Sequence, residues 1–485
     1  MRMTPPNRTA VRAMALLAPL AFAAATPAIA QRQQNRADGD AINIPFERYK
    51  LGNGLTVVLA PDRSTPTVVV DVWYHVGSKN EVPGRTGFAH MFEHVMFTGS
   101  GHIPYGLHDR LTEGVGGMNN GSTNNDRTNY FESIPSNYLE SALWLESDRM
   151  GFLLEQLDSA KFVAQRDIVQ NERRQGIDNQ PYGRAFEILM AATYPASNPY
   201  SWPVVGYMTD LQAASLEDVK NFFRLYYAPS NATISIVGDF DPAQAKSWVA
   251  KYFGGLPRGK AIPRPTVTPP RLTTEKRLVY EDRVQVPRLY MRWPTIGAKH
   301  DDTFALQGLG QILAGGRTAR LTKALVYDRQ AAAQVNAFQI PRESLGDFQI
   351  QIVPRPGHSL TEIEAVADSV IARFKHEGPT AEELERAKAG IEFQFVQGLE
   401  SNLGKAETLL SGSVYFGDPG YYRTQYQKLK AVTAADIKRV ANTYLGPGRV
   451  VLSFVPQGKL DEAARPETSV KVTVGADNRY IMESK

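Results

Sequence analysis

Between residues 86 and 99 almost every side chain is apolar: Phe88, Ala89, Met91, Phe92, Val95, Met96 and Phe97 cover all sides of a helical wheel. A helix that is apolar all round is a buried helix. Thr86 is placed to cap its start and Gly99 to stop it. Elsewhere the period shortens. Residues 55–59, behind a tight turn at Gly52-Asn53-Gly54, and residues 67–76, rich in β-branched side chains, predict two strands. Helical spacing returns at 136–155 and 159–176, and residues 232–237 read as strand again. Five prolines (Pro257, Pro263, Pro265, Pro269, Pro270) then forbid regular structure and favour an extended spacer. Beyond them come a strand at 288–293, a long helix at 303–325, strands at 334–339 and 348–353, and a helix at 361–376.

The second half repeats the order of elements of the first. The predicted fold class is therefore α+β: two similar domains, each a mixed, mainly antiparallel sheet flanked by helices, as in a duplicated unit. The predicted domains are 43–256 and 278–485, joined by a proline-rich linker at 257–277. A chain of 485 residues is too long for one ordinary core, which agrees with two.

Residues 1–30 differ from the rest. Arg2, Arg8 and Arg12 precede an apolar run at 13–25, and Ala28-Ile29-Ala30 makes a small-x-small cleavage signal before Gln31. This predicts a cleaved export leader and a periplasmic or secreted protein. The leader holds three arginines and no acid, so the +4 of the whole chain falls to about +1 once it is removed. No basic cluster survives to bind nucleic acid. No other stretch reaches 18 apolar residues, so no membrane span is expected in the mature chain.

The chain has no cysteine. That excludes disulfides and thiolate chemistry, and any metal must be held by His, Asp or Glu. The buried helix carries such groups. His90, Glu93 and His94 fall within an arc of roughly 100° on one face, and ionisable groups on a buried stripe need partners. His at i and i+4 project side by side, as two zinc ligands do. Glu93 stands beside them, able to reach a water instead of the metal. With 8 His in the chain, chance produces this spacing on the order of 0.01 times per sequence. A third ligand is still needed. Glu172 lies on the Phe162 and Val169 face of its helix and follows Ile168 by four residues, which extends an apolar stripe. Helix position alone leaves it open between a third ligand and a helix-end acid paired with arginine.

The motif His90-Met91-Phe92-Glu93-His94, with Asn171-Glu172-Arg173-Arg174-Gln175 downstream, resembles the pitrilysin/insulinase zinc peptidases, especially their bacterial two-domain processing-peptidase-like members. The likeness covers nearly all of the mature chain, including the proline linker and the glycines around Gly310-Gln311-Ile312-Leu313 and Gly315-Gly316-Arg317. It implies that Glu172 is the third ligand of one zinc ion per chain and Glu93 the general base. It also implies that Asn120, Gly121, Ser122 and Thr123 form an edge strand that an extended substrate joins. Read without the resemblance, that glycine-rich stretch is an ordinary surface hairpin. Two departures stand out. Gln165 occupies a position where many members carry an acid. Tyr327 and Gln334 occupy positions where an Arg and a Tyr grip the substrate in active homodimers or partner subunits.

The function expected is a zinc-dependent endopeptidase or oligopeptidase acting on unfolded peptides. The chain would be the catalytic subunit of a heterodimer with a homologous subunit carrying the Arg/Tyr pair, or alternatively of a homodimer. The competing expectation is a non-catalytic, chamber-forming subunit of the same fold. The other histidines (His75, His102, His108, His300, His358, His376) stand alone in sequence and read as structural or surface residues.

Overall fold

Two sheets account for every named strand of this computed structural model, which describes residues 42–482; the predicted leader, 1–30, lies outside the described residues. The first sheet contains β1 (Glu47–Lys50), β2 (Thr56–Pro61), β3 (Thr67–Tyr74), β4 (Met118–Thr123), β5 (Thr128–Pro135) and β6 (Ala232–Gly238). The second contains β7 (Lys276–Asp282), β8 (Arg288–Ile296), β9 (Ala332–Pro341), β10 (Leu345–Pro354), β11 (Val450–Pro456), β12 (Val470–Val474) and β13 (Tyr480–Met482). No regular element occupies residues 257–274, the proline-rich stretch.

The first sheet runs β1-β2-β6-β3-β5-β4 and the second β13-β12-β7-β11-β8-β10-β9. In the first, β2 and β6 are parallel and the remaining neighbours antiparallel. In the second, β7 and β11 are parallel, and β11-β8-β10-β9 are antiparallel. Taken in chain order, β2 to β6 and β7 to β11 therefore trace one and the same five-strand path. The α+β fold with a duplicated unit is what the structure contains. The topology carries the repeat where residue identity does not.

Each half lends a helix to the other. Helix Asn402–Ser411 packs on β6 and β3 of the first sheet. Helix Ala185–Thr193 lays Ala185, Ile188, Leu189 and Ala192 against Leu278, Tyr290, Val450 and Phe454 of the second. Each apolar face is buried on the opposite sheet, so neither half completes its core alone. Among the described residues no helix is long and apolar enough to cross a membrane.

Three local expectations need correction. The segment predicted as one helix at 303–325 stops at Ala314. Gly315-Gly316 breaks it, with Gly316 at φ +155°, and a short turn resumes at Arg320. Thr86 does not cap the motif helix. Gly87, in the left-handed region at φ +88°, stands there instead, and the Thr86 hydroxyl donates to Asp210 at 2.7 Å. The apolar stripe drawn through Glu172 also fails: Phe162 and Val169 are buried, but Ile168 and Glu172 are exposed.

Candidate metal centre

The helix Phe88–Val95 is anchored by its apolar side chains. Phe92 lies within ring contact of Phe222, Phe223 and Tyr227, and Met91 and Val95 are wholly buried. Its start is fixed by close backbone contact: a Cβ on Gly206 would lie 2.5 Å from the Gly87 α-carbon, so only glycine fits there. The first-turn amides are capped from outside the helix. The Glu81 carboxylate accepts from the amides of Gly87 and Ala89, each at 2.9 Å. Sequence reading missed Glu81, because a cap six residues upstream leaves no local signature.

So anchored, the helix turns His90 and His94 outward with ring centroids 4.9 Å apart. Glu172, in the last turn of helix Ser159–Arg173, meets them. Its Oε2 lies 3.7 Å from His90 Nε2 and 3.2 Å from His94 Nε2. One ligand atom from each of the three residues falls within 4.8 Å of the others. Arg173, the next residue, is wholly buried and binds Glu187 through both terminal guanidinium nitrogens, at 2.9 and 3.0 Å. That pairing sets the rotation of the last helical turn. Glu172 faces the histidines because the turn is fixed this way.

The electrostatics suit a cation. Burial, with the neighbouring His94 ring, pushes the His90 pKa down to about 4, which keeps the ring neutral and its lone pair available. Burial raises the Glu93 carboxyl, while a hydrogen bond with Thr123 and the charges of His94 and Arg127 oppose the rise. Glu93 Oε2 is buried and has no hydrogen-bond partner among the described residues. Two imidazoles, an acceptor-only carboxylate and a buried, unsatisfied carboxylate oxygen beside them fit zinc.

Glu93 lies against the edge strand. β4 ends the first sheet and pairs with β5 alone, in the register Asn120↔Phe131, Gly121↔Tyr130, Ser122↔Asn129, Thr123↔Thr128. Asn120 to Thr123 thus form an edge strand beside the metal-type cluster. A bare hairpin loop would not offer such a row of unpaired backbone groups. Arg127 clamps the strand, donating to the Ser122 carbonyl at 2.8 Å, and the Ser122 hydroxyl donates to Asn129 Oδ1 at 2.7 Å.

The remaining positions behave differently. Tyr327 and Gln334 are exposed, and Gln334 lies on β9, the edge strand of the second sheet. His108 is not isolated. It is buried with Glu132 and Glu146, and its Nε2 lies 2.8 Å from Glu132 Oε1. Arg149 bonds both carboxylates there, so the cation's place in that group is already taken.

Residues 56–203 match the family described as insulinase (peptidase family M16), and residues 213–391 match the peptidase M16 inactive domain. The chain is 31% identical to the zinc protease PqqE of Helicobacter pylori, over 82% of this chain and 90% of that protein. Among solved structures, a protease from Helicobacter pylori superposes with a TM-score of 0.80 at 29% identity, covering 86% of this chain and all of that one. A peptidase M16 inactive domain from Pseudomonas fluorescens shares the fold with a TM-score of 0.76 at 21% identity, over 85% of this chain and 98% of that one.

Proposed function

Because the chain belongs to the insulinase (M16) family of peptidases, we propose that it is a catalytic zinc endopeptidase or oligopeptidase acting on unfolded peptides. His90, His94 and Glu172 hold one zinc ion, and Glu93 is the general base. The observation that carries this reading is the meeting of Glu172 Oε2 with both imidazoles, next to the buried, unpartnered Oε2 of Glu93. A non-catalytic subunit has no use for that complete set. The inactive-domain match concerns the other half of the chain, residues 213–391.

When bound, zinc supplies a Lewis acid that polarises the scissile carbonyl and brings the pKa of water towards 7. The protein's own residues do the rest. The substrate adds to the open edge of β4 along Asn120, Gly121, Ser122 and Thr123, and its backbone pairing holds the scissile bond in one register. Glu93 takes a proton from the attacking water and returns it to the departing amine nitrogen. Burial, which raises the Glu93 carboxyl, makes it a better base than an exposed glutamate.

We also propose the division into a leader (1–30), a zinc-binding domain (43–256), a linker (257–277) and a second domain (278–485), with export to the periplasm. Tyr327 and Gln334, in place of an Arg and a Tyr, favour a heterodimer in which a homologous subunit supplies the cationic donor for the tetrahedral oxyanion. One such donor is worth about two to three orders of magnitude in rate. Within this chain Arg320 is no substitute, being tied to Glu383 through two nitrogens at 2.8 Å each.

The test is to purify the mature chain, measure zinc, and assay an unstructured peptide with and without Glu93→Gln. The expected result is about one zinc per chain in both proteins and peptide hydrolysis lowered by several orders of magnitude in the variant. Retained hydrolysis in the variant rejects the assignment. Full turnover by the chain alone, at the rate of related peptidases, rejects the heterodimer.

A further inference from the structure

We infer that Arg479 and Tyr480, at the far end of the second half, are positioning residues for the metal centre of the first. This rests on the reading that His90, His94 and Glu172 hold zinc. Two separate hydrogen-bonded paths lead from these residues to the two elements that carry the ligands.

The first path ends at Glu172. The Tyr480 hydroxyl donates to Glu187 Oε2. The same carboxylate grips Arg173 through both terminal guanidinium nitrogens, and Arg173 donates further to the Gly206 carbonyl at 2.8 Å. Glu187 and Arg173 are buried, so each bond lost there leaves a buried polar atom unsatisfied. Arg173 directly follows Glu172. On a helix, consecutive side chains sit about 100° apart, so holding Arg173 inward sets the direction of Glu172. Tyr480 thus acts on Glu172 through two intervening residues.

The second path ends at the motif helix. Arg479 donates to both oxygens of Asp210, at 2.9 and 3.1 Å. Asp210 is buried and accepts from the Thr86 hydroxyl and the Thr86 amide, at 2.7 and 3.2 Å. The Thr86 oxygen in turn accepts from the Tyr207 amide at 3.0 Å, which joins the start of the motif helix to the Gly206 turn. Both paths therefore converge on the Gly87–Gly206 contact from which the helix springs. The Arg479 guanidinium also lies 4.7 Å from the centre of the Tyr207 ring, and the Thr209 hydroxyl donates to the Asp477 carbonyl at 3.0 Å.

Tyr480 begins β13 of the second sheet, and Arg479 directly precedes it. Tyr480 pairs with Val474 and Met482 with Val472, so the strap is held by β12 and through it by β7. The second half thereby closes over the scaffold of the ligands and helps set the distance between Glu172 and the histidine pair. Groups behind metal ligands typically change metal affinity by 10–100-fold when removed.

The experiment uses the full mature chain with Tyr480→Phe, Arg479→Met and the double variant, with zinc affinity measured by competition against a chelator. The double variant is expected to bind zinc about tenfold more weakly, and each single variant severalfold more weakly. Arg479→Lys, which keeps a cationic nitrogen that can donate to Asp210, is expected to recover part of the loss. Zinc affinity equal to the parent in both Tyr480→Phe and the double variant overturns the inference, whatever happens to the melting temperature. If the double variant does not fold, Tyr480→Phe, which removes one oxygen, carries the test alone. His90→Ala separates the two readings: if it too binds zinc as the parent does, the ligand assignment has failed and not the strap.

Discussion

Gly121 leaves no room between the edge strand and Glu93: a Cβ on its α-carbon would lie 3.1 Å from Glu93 Cγ and 3.2 Å from the Asn129 carbonyl oxygen. The glycine lets the strand that would carry the substrate run directly against the carboxylate that would activate water. Gly121→Val should therefore displace Glu93 or the strand and lower kcat/KM by about a hundredfold, since a 1 Å misplacement can cost that much. Gly121→Ala should cost less. Zinc content should stay near that of the parent, because no ligand is touched. Parental kinetics for Gly121→Val on an unstructured peptide would show that strand and carboxylate do not work as neighbours.

Replacing His90, His94 or Glu172 by alanine should lower zinc content together with activity. The informative variant is Glu172→Ala, because this acid is half exposed and lies on a different helix from the histidines. Unchanged zinc binding by Glu172→Ala, measured by metal analysis after dialysis, would mean that another carboxylate is the third ligand. Asp167 and Asp178 would be tested next; Asp178 already pairs with Arg184 at 2.7 Å.

Glu81 should matter to stability through the motif helix. Burial raises its carboxyl well above the usual range. Each carboxylate oxygen accepts from one amide, so Glu81→Gln, whose side-chain nitrogen cannot accept, should lose one of the two bonds and melt between Glu81→Ala and the parent. Glu81→Ala strands the amides of Gly87 and Ala89 in a buried place and should cost about 1–3 kcal/mol. Thermal or denaturant unfolding of the metal-free proteins measures the difference, and equal stability of the alanine variant would remove Glu81 from the role of cap.

Asp62 and Lys405 tie the first sheet to the helix it borrows from the second half. The hydrogen bond with Lys405, aided by Ser64, lowers the Asp62 pKa to about 2. A carboxyl held below its unfolded value near 4 adds stability that is complete above pH 4 and lost as pH falls through about 2. Lys405→Met should therefore destabilise the protein at pH 7 by about 1 kcal/mol, the pair being partly solvated. The gap between variant and parent should close between pH 4 and 2. A gap that stays constant over that range would assign the loss to packing of the lysine stem.

What the sequence determined by itself is local. Periodicity marked six of the thirteen strands and the first helices, since an apolar repeat of two or of 3.6 is imposed by the very next neighbours along the chain. The His90, Glu93 and His94 triplet was legible for the same reason: helix geometry puts positions i, i+3 and i+4 on one face wherever the helix lies. Tertiary structure decided the rest. Glu172 joins the triplet because Arg173 is buried against Glu187, which lies on another helix, and no pattern within the segment records that pairing. The apolar stripe drawn through Glu172 was wrong because Ile168 ends up exposed. Glu81 reaches the start of the motif helix across 6 residues of chain, and the Arg479–Tyr480 strap reaches the site across roughly 300, by contacts that exist only once the second half has packed on the first. The strand order that proves the duplication is likewise a property of pairing. Pairing depends on which edges meet in space, and one chain's order of residues does not specify that until the whole core is closed.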